Sequence, residues 1–327
     1  VDVITDEAYD PKSEHPFKGN VDLMKLKKLV DEVGVKKIPY ITIGAPVNMA
    51  GGQPVSMENF RAVSEICRSR GIRVVLDAAR AVENAYFVQQ REKGYETKPV
   101  KEILREMCAL TDACAMSAKK DAFANIGGFL AMNDKGFYEE AKNLCVVYEG
   151  LHTYGGLAGR DLEALAQGIR ESVERDEWVA HRVSQVRYLW QSLNDLEIPL
   201  MHPAGGHAVF IDAGAFLSHI AQKQFPAQTH AAQIYVDSGV RTMERGIVSA
   251  GRDPETGENH QPELELVRLT LPRRVYTQTH LDYVTENLAI TYQHRRNIQG
   301  LRLIHEPKYL RFFQATFERI QIGNVVA

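Results

Sequence analysis

The sequence predicts an α/β protein in which helices cover both faces of a mainly parallel β-sheet, followed by a smaller α+β unit. Three observations lead to this fold class. In the first half of the chain, short apolar segments alternate with longer segments whose apolar residues recur at helical spacing. The short segments are apolar along most of their length, as is typical of strands in a covered parallel sheet. After Pro199 the pattern changes, and a strand with alternating apolar positions at residues 264–271 is part of a smaller, separate unit.

The composition is that of an ordinary globular protein. The 327 residues, of which 44% are hydrophobic and 25% charged, suffice for two domains with their own cores. The net charge of -3 comes from interspersed charges, and no apolar run reaches membrane-spanning length, so we expect neither nucleic-acid nor membrane partners. The 4 cysteines lack a CxxC spacing and lie in apolar segments, so we expect buried thiols and a cytoplasmic protein.

The elements of the first half follow from helix caps and apolar spacing. Ser56 is a suitable N-cap and Gly71 a suitable terminator for one helix, whose apolar face includes Phe60. The apolar segment that follows, at residues 72–76, is a strand that leads to Asp77. By the same criteria we predict helices at residues 21–33, 82–90, 98–110 and 137–147, and strands at residues 38–43, 112–116 and 125–132.

The second half begins beyond a long helical pattern. That pattern starts at Asp161, ends near Leu196 and is interrupted near Arg175, and we place the domain boundary near residue 174. We interpret His207, at the start of the next strand, as a structural histidine. The predicted elements are strands at residues 205–211 and 264–271, an edge segment at 240–245, and helices at 228–236 and 279–292.

Two adjacent lysines, Lys119 and Lys120, lie in a short turn between two predicted strands. Lysine pairs usually occupy a solvated surface turn, and this interpretation stays open. The small residues around the pair, among them Ala118 and Gly128, favour another interpretation, in which a partly dehydrated lysine acts as an amine nucleophile.

Asp77 follows a strand of the predicted parallel sheet, and ligands of such sheets bind beyond the carboxyl ends of the strands. A loop rich in Gly and Pro at residues 46–54 follows the preceding strand, and such loops often line a ligand site. Asp77 could instead cap a helix that begins near Ala78, and Arg80 could be its partner or a further ligand-binding group.

Five segments, in order along the chain, resemble the pyridoxal-phosphate-dependent β-eliminating lyases. They are residues 47–56 (VNMAGGQPVS), 77–87 (DAARAVENAYF), 116–121 (MSAKKD), 154–157 (YGGL) and 205–208 (GGHA). The resemblance covers nearly the whole chain and implies the aminotransferase-like fold, also called fold type I. The implied domains are a large cofactor-binding domain at residues 1–174 and a smaller domain at residues 175–327 that closes on the substrate.

The resemblance implies roles around pyridoxal 5'-phosphate. Lys120 would form the internal aldimine and later remove the Cα proton of the substrate, giving a quinonoid. Asp77 would pair with the pyridine nitrogen, since a carboxylate keeps that nitrogen protonated and makes the ring an electron sink. The other implied groups are Ser117 and Lys119 beside the phosphate, Asn48 and Arg80 on the ring-hydroxyl side, Tyr154 from a neighbouring subunit, and the backbone carbonyl of Asn125 as a ligand for potassium or ammonium. Family members imply a homotetramer.

Residues 243–246 (MERG) and 311–313 (RFF) resemble the tyrosine-cleaving members of the family. The tryptophan-cleaving members carry an apolar residue at the position of Arg245 and a histidine at that of Phe312. The implied reaction is therefore β-elimination of L-tyrosine to phenol, pyruvate and ammonia. Arg268 would bind the α-carboxylate through its planar fork, and Arg245 would bind the phenol hydroxyl. The further implied substrate residues are Asn48, Met243, Phe312 and Phe313.

Some alternatives stay open. Cleavage of L-tryptophan to indole, or a non-catalytic role in oligomerisation, could replace the implied reaction, and Arg268 could form a salt bridge on a strand surface. Ala79, Ala118 and Leu151 differ from the family pattern, and residues 277–279 lean toward the tryptophan-cleaving members. The chain starts inside the family pattern, so the resemblance implies a preceding segment with the main phosphate-binding loop, the stacking aromatic residue and the tyrosine that protonates the leaving group. We expect this chain to be part of a full enzyme or an inactive fragment.

Overall fold

The computed structural model describes residues 2–321, which divide into two compact units. The first unit comprises residues 2–8 and 15–182, and the second comprises residues 9–14 and 183–321. The division falls after Arg182, whereas the boundary predicted from the long helical pattern lies near residue 174. The assignment of a cofactor-binding domain and a substrate-closing domain stays a prediction.

A four-stranded sheet organises the first unit, in the order β1-β2-β3-β4. The strands β1 (Tyr40–Gly44), β2 (Arg73–Asp77) and β3 (Ala113–Ser117) are parallel to one another, which confirms the predicted mainly parallel sheet. β4 (Gly128–Met132) is antiparallel to β3. The predicted strand began too early, at residue 125, because residues 125–127 belong to the turn that reverses the chain, and so short a connection permits only antiparallel pairing.

The helices of the first unit lie close to their predicted positions. Ser56 caps α2, since its hydroxyl accepts a hydrogen bond from the N–H of Asn59 at 3.1 Å, as predicted. The core includes the side chains of Phe60, Phe87 and Met107, each less than 2% exposed. The helices are α1 (Leu23–Val33), α2 (Met57–Ser69), α3 (Ala81–Arg91), α4 (Val100–Ala109), α5 (Lys135–Tyr148) and α6 (Gly159–Glu174).

Helix α5 differs from the others because none of its residues is buried. Leu144, Val147 and Tyr148 on this helix are 57%, 72% and 78% exposed, and Leu130 on the neighbouring β4 is 61% exposed. We call these four side chains the α5 surface. Large apolar side chains gathered in this way usually mark an interaction surface.

The long helical pattern is interrupted at Arg175, as predicted. Arg175 has a non-helical backbone, with φ of -131 and ψ of 81, and separates α6 from α7 (Asp176–Asn194). The division between the two units falls inside α7.

A three-stranded antiparallel sheet organises the second unit, in the order β5-β7-β6. Its strands are β5 (Ala208–Asp212), β6 (Met243–Arg245) and β7 (Leu266–Thr270). β6 and β7 lie within predicted segments, and β5 extends one residue beyond the predicted strand at residues 205–211. The chain also forms a hairpin of β8 (Leu301–His305) and β9 (Thr316–Arg319), which we did not predict. The helices are α8 (Ala213–Phe216), α9 (Pro226–Ser238), α10 (Ile247–Ala250), α11 (Gln278–Gln293) and α12 (Arg311–Gln314).

The cysteines are less buried than predicted. Cys67 is buried, but Cys108 is exposed and Cys114 and Cys145 are half-buried. The prediction was wrong for Cys108 because this residue lies on the solvent side of α4, whose buried side chains are Val100, Ile103 and Met107.

Within residues 2–321, no helix is both long and apolar enough to cross a membrane.

Candidate active site

Asp77 lies at the carboxyl end of β2, between the neighbouring strands β1 and β3. Its partners in the sheet register are Gly44 and Ala115, neither of which has a side chain larger than a methyl group. The Asp77 side chain is exposed. It is therefore an accessible carboxylate, with little bulk beside it, at the edge of the sheet where ligands bind.

The backbone after Asp77 forms a tight turn before α3. The Oδ1 atom of Asp77 accepts a hydrogen bond from the N–H of Ala79 at 3.0 Å. Helix α3 begins only at Ala81, and Arg80 is its N-cap residue. The alternative that Asp77 caps a helix beginning near Ala78 is therefore wrong, and the carboxylate keeps acceptor capacity for a ligand.

The lysine turn follows β3 directly. A hydrogen bond of 3.0 Å from the N–H of Ala118 to the carbonyl oxygen of Gly127 closes this turn. Lys119 is exposed, whereas Lys120 is half-buried. The exposure of Lys119 agrees with a solvated surface turn. Lys120 has lost part of its hydration, as an amine nucleophile requires.

The lysine turn packs against α6 through small side chains. Ala118, Ala122 and Ala124 form one buried cluster with Leu165 of α6. The approach is close at Gly168, where an added Cβ atom would lie 1.8 Å from the carbonyl oxygen of Ala122. A glycine at this position is therefore required for the observed packing of the turn on the helix.

The buried Asp121 fixes the turn immediately after Lys120. Its N–H donates to the carbonyl oxygen of Ala79 at 3.3 Å, and its Oδ2 atom accepts from the N–H of Glu83 at 3.1 Å. Its Oδ1 atom lies 3.2 Å from Nη2 of Arg182, which also pairs with the Glu83 carboxylate. These contacts connect the lysine turn to the segment that follows Asp77.

The environment of Arg80 is shaped by the same charges. Burial lowers the pKa of the Arg80 guanidinium, and the nearby carboxylates of Glu83, Asp121 and Asp77 oppose this effect, while Arg182 adds to it. Arg80 is therefore a partly desolvated cation surrounded by charges of both signs.

The polar side chains at this sheet edge fit pyridoxal 5'-phosphate. An accessible carboxylate, Asp77, suits a protonated pyridine nitrogen, and a half-buried amine, Lys120, suits a Schiff base. Ser117 ends β3 and Lys119 is exposed in the turn, so a hydroxyl and an ammonium group are available for a phosphate. Arg80 provides a further donor group, because a guanidinium carries only N–H donors.

The remaining predicted residues of the first unit lie on loops. Asn48 is half-buried and begins a short 3-10 turn, Asn48–Ala50, after β1. Asn125 is exposed in the lysine turn, and Tyr154 is 41% exposed in the loop before α6. Leu157 of that loop approaches Gly127, where an added Cβ atom would lie 2.8 Å from a Leu157 methyl carbon.

Between residues 2 and 321, no group of three or more His, Cys, Asp or Glu side chains could hold a metal ion.

Five predicted substrate residues lie in the second unit, in two contacting groups. Met243 of β6 is the register partner of Arg268 in β7, and the Sδ atom of Met243 lies 2.9 Å from Nη2 of Arg268. The Arg245 guanidinium lies 5.8 Å from the centre of the Phe312 ring. Phe313 lies beside Phe312, with ring centres 5.1 Å apart, and is 76% exposed.

The two arginines are held in surroundings that remove much of their water. Arg268 is 7% exposed, so the alternative of a salt bridge on a strand surface is wrong. Burial lowers the pKa of the Arg245 guanidinium, and the neighbouring Glu244 carboxylate opposes that effect. A desolvated guanidinium binds an oxygen ligand more strongly than a solvated one does.

His207 lies where a structural histidine was predicted. Its side chain is 1% exposed, and its ring meets that of Phe210 edge-on, with centres 6.1 Å apart. These contacts support the structural interpretation.

Several buried charged residues near these groups were missed from the sequence. They are Glu83, Arg182, Glu244 and Glu265, all less than 7% exposed. The sequence offered one indication of their burial, a charged residue within an otherwise apolar segment. Charged residues usually lie on a solvated face, so this indication is weak. Their partners are distant in the sequence, so spacing alone does not reveal them.

The family model of the β-eliminating lyases matches residues 1–287. A tyrosine phenol-lyase of Nostoc punctiforme is 60% identical over 318 residues, which are 97% of this chain and 68% of that protein. A tyrosine phenol-lyase of Pasteurella multocida is 57% identical over 318 residues, which are 97% of this chain and 69% of that protein.

Solved structures share the fold. Serine palmitoyltransferase of Sphingomonas wittichii has a TM-score of 0.55 and 16% sequence identity, with 85% of this chain and 60% of that chain covered. A structure of SPT with its PLP internal aldimine also has a TM-score of 0.55 and 16% identity, over 84% of this chain and 60% of that chain. These likenesses confirm the aminotransferase-like α/β fold.

Proposed function

Because the chain belongs to the β-eliminating lyase family, we propose that it catalyses the β-elimination of L-tyrosine to phenol, pyruvate and ammonia with pyridoxal 5'-phosphate. The observation that carries this proposal is that an accessible carboxylate, Asp77, and a half-buried amine, Lys120, follow adjacent strands at one sheet edge, in a chain 60% identical to a tyrosine phenol-lyase. When bound, the cofactor withdraws electrons from the Cα atom of an amino acid and so acidifies its hydrogen.

The residues of the first unit would hold the cofactor and move the proton. Lys120 takes the Cα proton as a general base, and its half-buried position in the turn after β3 would hold the amine close to the cofactor. Asp77 keeps the pyridine nitrogen protonated. The phosphate is held by Ser117 and Lys119, and the ring-hydroxyl side is addressed by Asn48 and Arg80.

The residues of the second unit would recognise the substrate. The buried Arg268 binds the α-carboxylate with its planar fork. Arg245 binds the phenol hydroxyl, and a site built around that contact should reject phenylalanine, because the guanidinium would be left without an oxygen partner. Met243, Phe312 and Phe313 pack around the ring.

The remaining assignments also belong to this proposal. Tyr154 would approach the cofactor of a neighbouring subunit in a homotetramer, which its 41% exposure permits. The backbone carbonyl of Asn125 would bind potassium or ammonium, and Asn125 is exposed at the turn that carries Lys120. We propose a cytoplasmic location for the enzyme.

Borohydride trapping tests the cofactor site. The protein is incubated with pyridoxal phosphate and reduced, and the labelled lysine is found by peptide mapping in the wild type, Lys120→Arg and Lys119→Arg. Labelling that disappears only in Lys120→Arg supports the proposal. Labelling scattered over surface lysines, or unchanged in Lys120→Arg, would show that this chain does not form the site.

Product analysis tests the substrate. The protein with bound pyridoxal phosphate is given L-tyrosine and L-tryptophan, and phenol, indole and pyruvate are measured. Phenol and pyruvate in equal amounts support the proposal. Indole without phenol would assign the tryptophan-cleaving reaction, and no product from either substrate would support a non-catalytic role.

A further inference from the structure

Two buried carboxylates fix the backbone that follows Arg245. The side chains of Glu244 and Glu265 are 3% and 6% exposed. Glu244 accepts hydrogen bonds from the N–H groups of Gly246, Val248 and Ser249 at 2.7, 3.0 and 3.0 Å. Glu244 does not contact the N–H group of residue 247. That N–H group donates to Glu265 at 3.1 Å. Four consecutive amides are thus held by two carboxylates.

Glu265 also connects this stretch to two other parts of the second unit. Its Oε2 atom accepts from the N–H of Ala227 in the first turn of α9 at 3.2 Å, and its Oε1 atom accepts from the side-chain amide of Gln222 at 3.3 Å. Gly246 approaches this carboxylate so closely that an added Cβ atom would lie 2.1 Å from Oε2 of Glu265. The position of the carboxylate is therefore set from several sides.

Arg245 lies directly between these contacts. It follows Glu244, precedes Gly246, and is the register partner of Leu266, the neighbour of Glu265. Its Nε atom is buried and has no hydrogen-bond partner within the described part of the chain. The direction of the guanidinium is thus set mainly by the backbone on either side and by its contact with the Phe312 ring.

We propose that Glu244 and Glu265 are positioning residues that direct Arg245 toward the substrate side chain, and that they thereby determine preference for a hydroxylated aromatic ring. This inference rests on the proposed function, in which Arg245 binds the phenol hydroxyl. Neither carboxylate is assigned any contact with the substrate. Their effect passes through the backbone of residues 244–249, and misplacement of a binding group by about 1 Å can cost about 100-fold in rate.

The charge on Glu265 makes this device sensitive to pH. Burial and the neighbouring Glu244 raise the pKa of Glu265 to about 7, and its hydrogen bonds oppose that shift. Arg245 and Arg311 are the cations that face Glu244, whereas the contacts of Glu265 with α9 and with Gln222 are uncharged. A protonated Glu265 accepts fewer hydrogen bonds, so the hold on residue 247 weakens below about pH 7.

The test compares Glu265→Gln with Glu263→Gln, whose parent side chain is exposed in the same segment. The values of kcat/KM are measured for L-tyrosine and for β-chloro-L-alanine, which has a leaving group on Cβ but no hydroxyl. In Glu265→Gln, we expect kcat/KM for tyrosine to fall about 10- to 100-fold and that for β-chloro-L-alanine to change less than about twofold. Glu263→Gln should behave as the wild type.

Two further measurements accompany the kinetics. In the wild type, the ratio of the two kcat/KM values should rise with pH through about 7, and it should be constant with pH in Glu265→Gln. Calorimetry of phenol binding gives a readout without catalysis, and the dissociation constant should rise about tenfold in Glu265→Gln.

The outcomes separate this inference from the proposed function. Equal losses for both substrates in Glu265→Gln, or a pH-dependent ratio that persists in this variant, overturn the positioning role alone. A wild type that cleaves β-chloro-L-alanine but not tyrosine overturns the proposed function. If Glu265→Gln does not fold, a wild-type ratio that is constant between roughly pH 6 and 8 overturns the positioning role.

Discussion

Nη2 of Arg182 lies 3.2 Å from Oδ1 of Asp121, the residue that follows Lys120. The same nitrogen pairs with the carboxylate of Glu83, and the three side chains are buried. Taking three charges out of water is costly, and their mutual attraction offsets that cost only while all three are present. The arrangement therefore holds the lysine turn in one place rather than adding greatly to stability.

Arg182→Met should destabilise the protein strongly, because two buried carboxylates would lose the guanidinium that contacts both of them. We expect the free energy of unfolding to fall by about 3–5 kcal/mol, measured by urea denaturation. Arg187→Met, at an exposed position of the same helix, should change it by less than about 0.5 kcal/mol. Similar effects in the two variants would contradict the structural role of the ion group.

Gly168→Ala should displace the lysine turn. The added methyl group would meet the carbonyl oxygen of Ala122 at 1.8 Å, and backbone must move to relieve so short a contact. We expect a loss of about 1–3 kcal/mol in stability together with weaker trapping of pyridoxal phosphate at Lys120. The control is Gly159→Ala, where an added Cβ atom meets nothing within 4 Å. Unchanged trapping in Gly168→Ala would show that the turn does not depend on this contact.

His230→Leu should stabilise the second unit. His230 is completely buried, and neither ring nitrogen has a hydrogen-bond partner among the residues that the structure describes. Replacing an unsatisfied buried polar group with an apolar one of similar size should add about 1–2 kcal/mol to the free energy of unfolding. The measurement is urea denaturation at neutral pH, and a variant less stable than the wild type would contradict the interpretation.

The same substitution should change the response to acid. Burial lowers the pKa of His230 to about 3, below its ordinary value of 6.5. The unfolded chain therefore binds a proton that the folded chain does not, so the wild type loses stability as the pH falls from 6.5 toward 3. In His230→Leu this contribution should be absent, whereas His294→Leu, at an exposed position of the same unit, should keep it. Identical acid sensitivity in the wild type and His230→Leu would show that His230 does not contribute to the loss of stability in acid.

Glu265 should contribute the opposite pH dependence to stability, and Glu265→Gln should remove that contribution. The folded-state pKa of about 7 lies above the ordinary value of 4.5, so the folded chain binds the extra proton and stability falls as the pH rises from 4.5 to 7. The wild type should therefore lose stability relative to Glu265→Gln across this interval, by roughly 3 kcal/mol in total. Thermal unfolding at a series of pH values measures this difference. A difference that is constant with pH would mean that Glu265 does not titrate there.

The sequence predicted the sheet edge of the candidate site well. Apolar segments and helix caps were enough to locate β2 and β3, and so to place Asp77 and Lys120 at the carboxyl ends of adjacent strands. These features depend on local patterns, which a sequence displays directly.

Other features depend on contacts between distant residues. Glu83 and Arg182 are separated by 99 positions, and the spacing of residues in the sequence does not reveal such a pair. Helix α10 has 4 residues, too few for a periodic signal, and it is held by the carboxylates of Glu244 and Glu265. The hairpin of β8 and β9 was missed because its strands are joined by a long connection that contains α12 instead of a short turn.

The α5 surface has a practical consequence for anyone who purifies the protein. Ammonium sulfate is excluded from protein surfaces and strengthens contacts between apolar groups, so side chains as exposed as Tyr148 and Val147 should lower the salt concentration at which the protein precipitates. The same side chains should retain it on a phenyl resin. Purification at low salt, with a mild detergent or glycerol, is therefore the appropriate starting condition for the experiments described above.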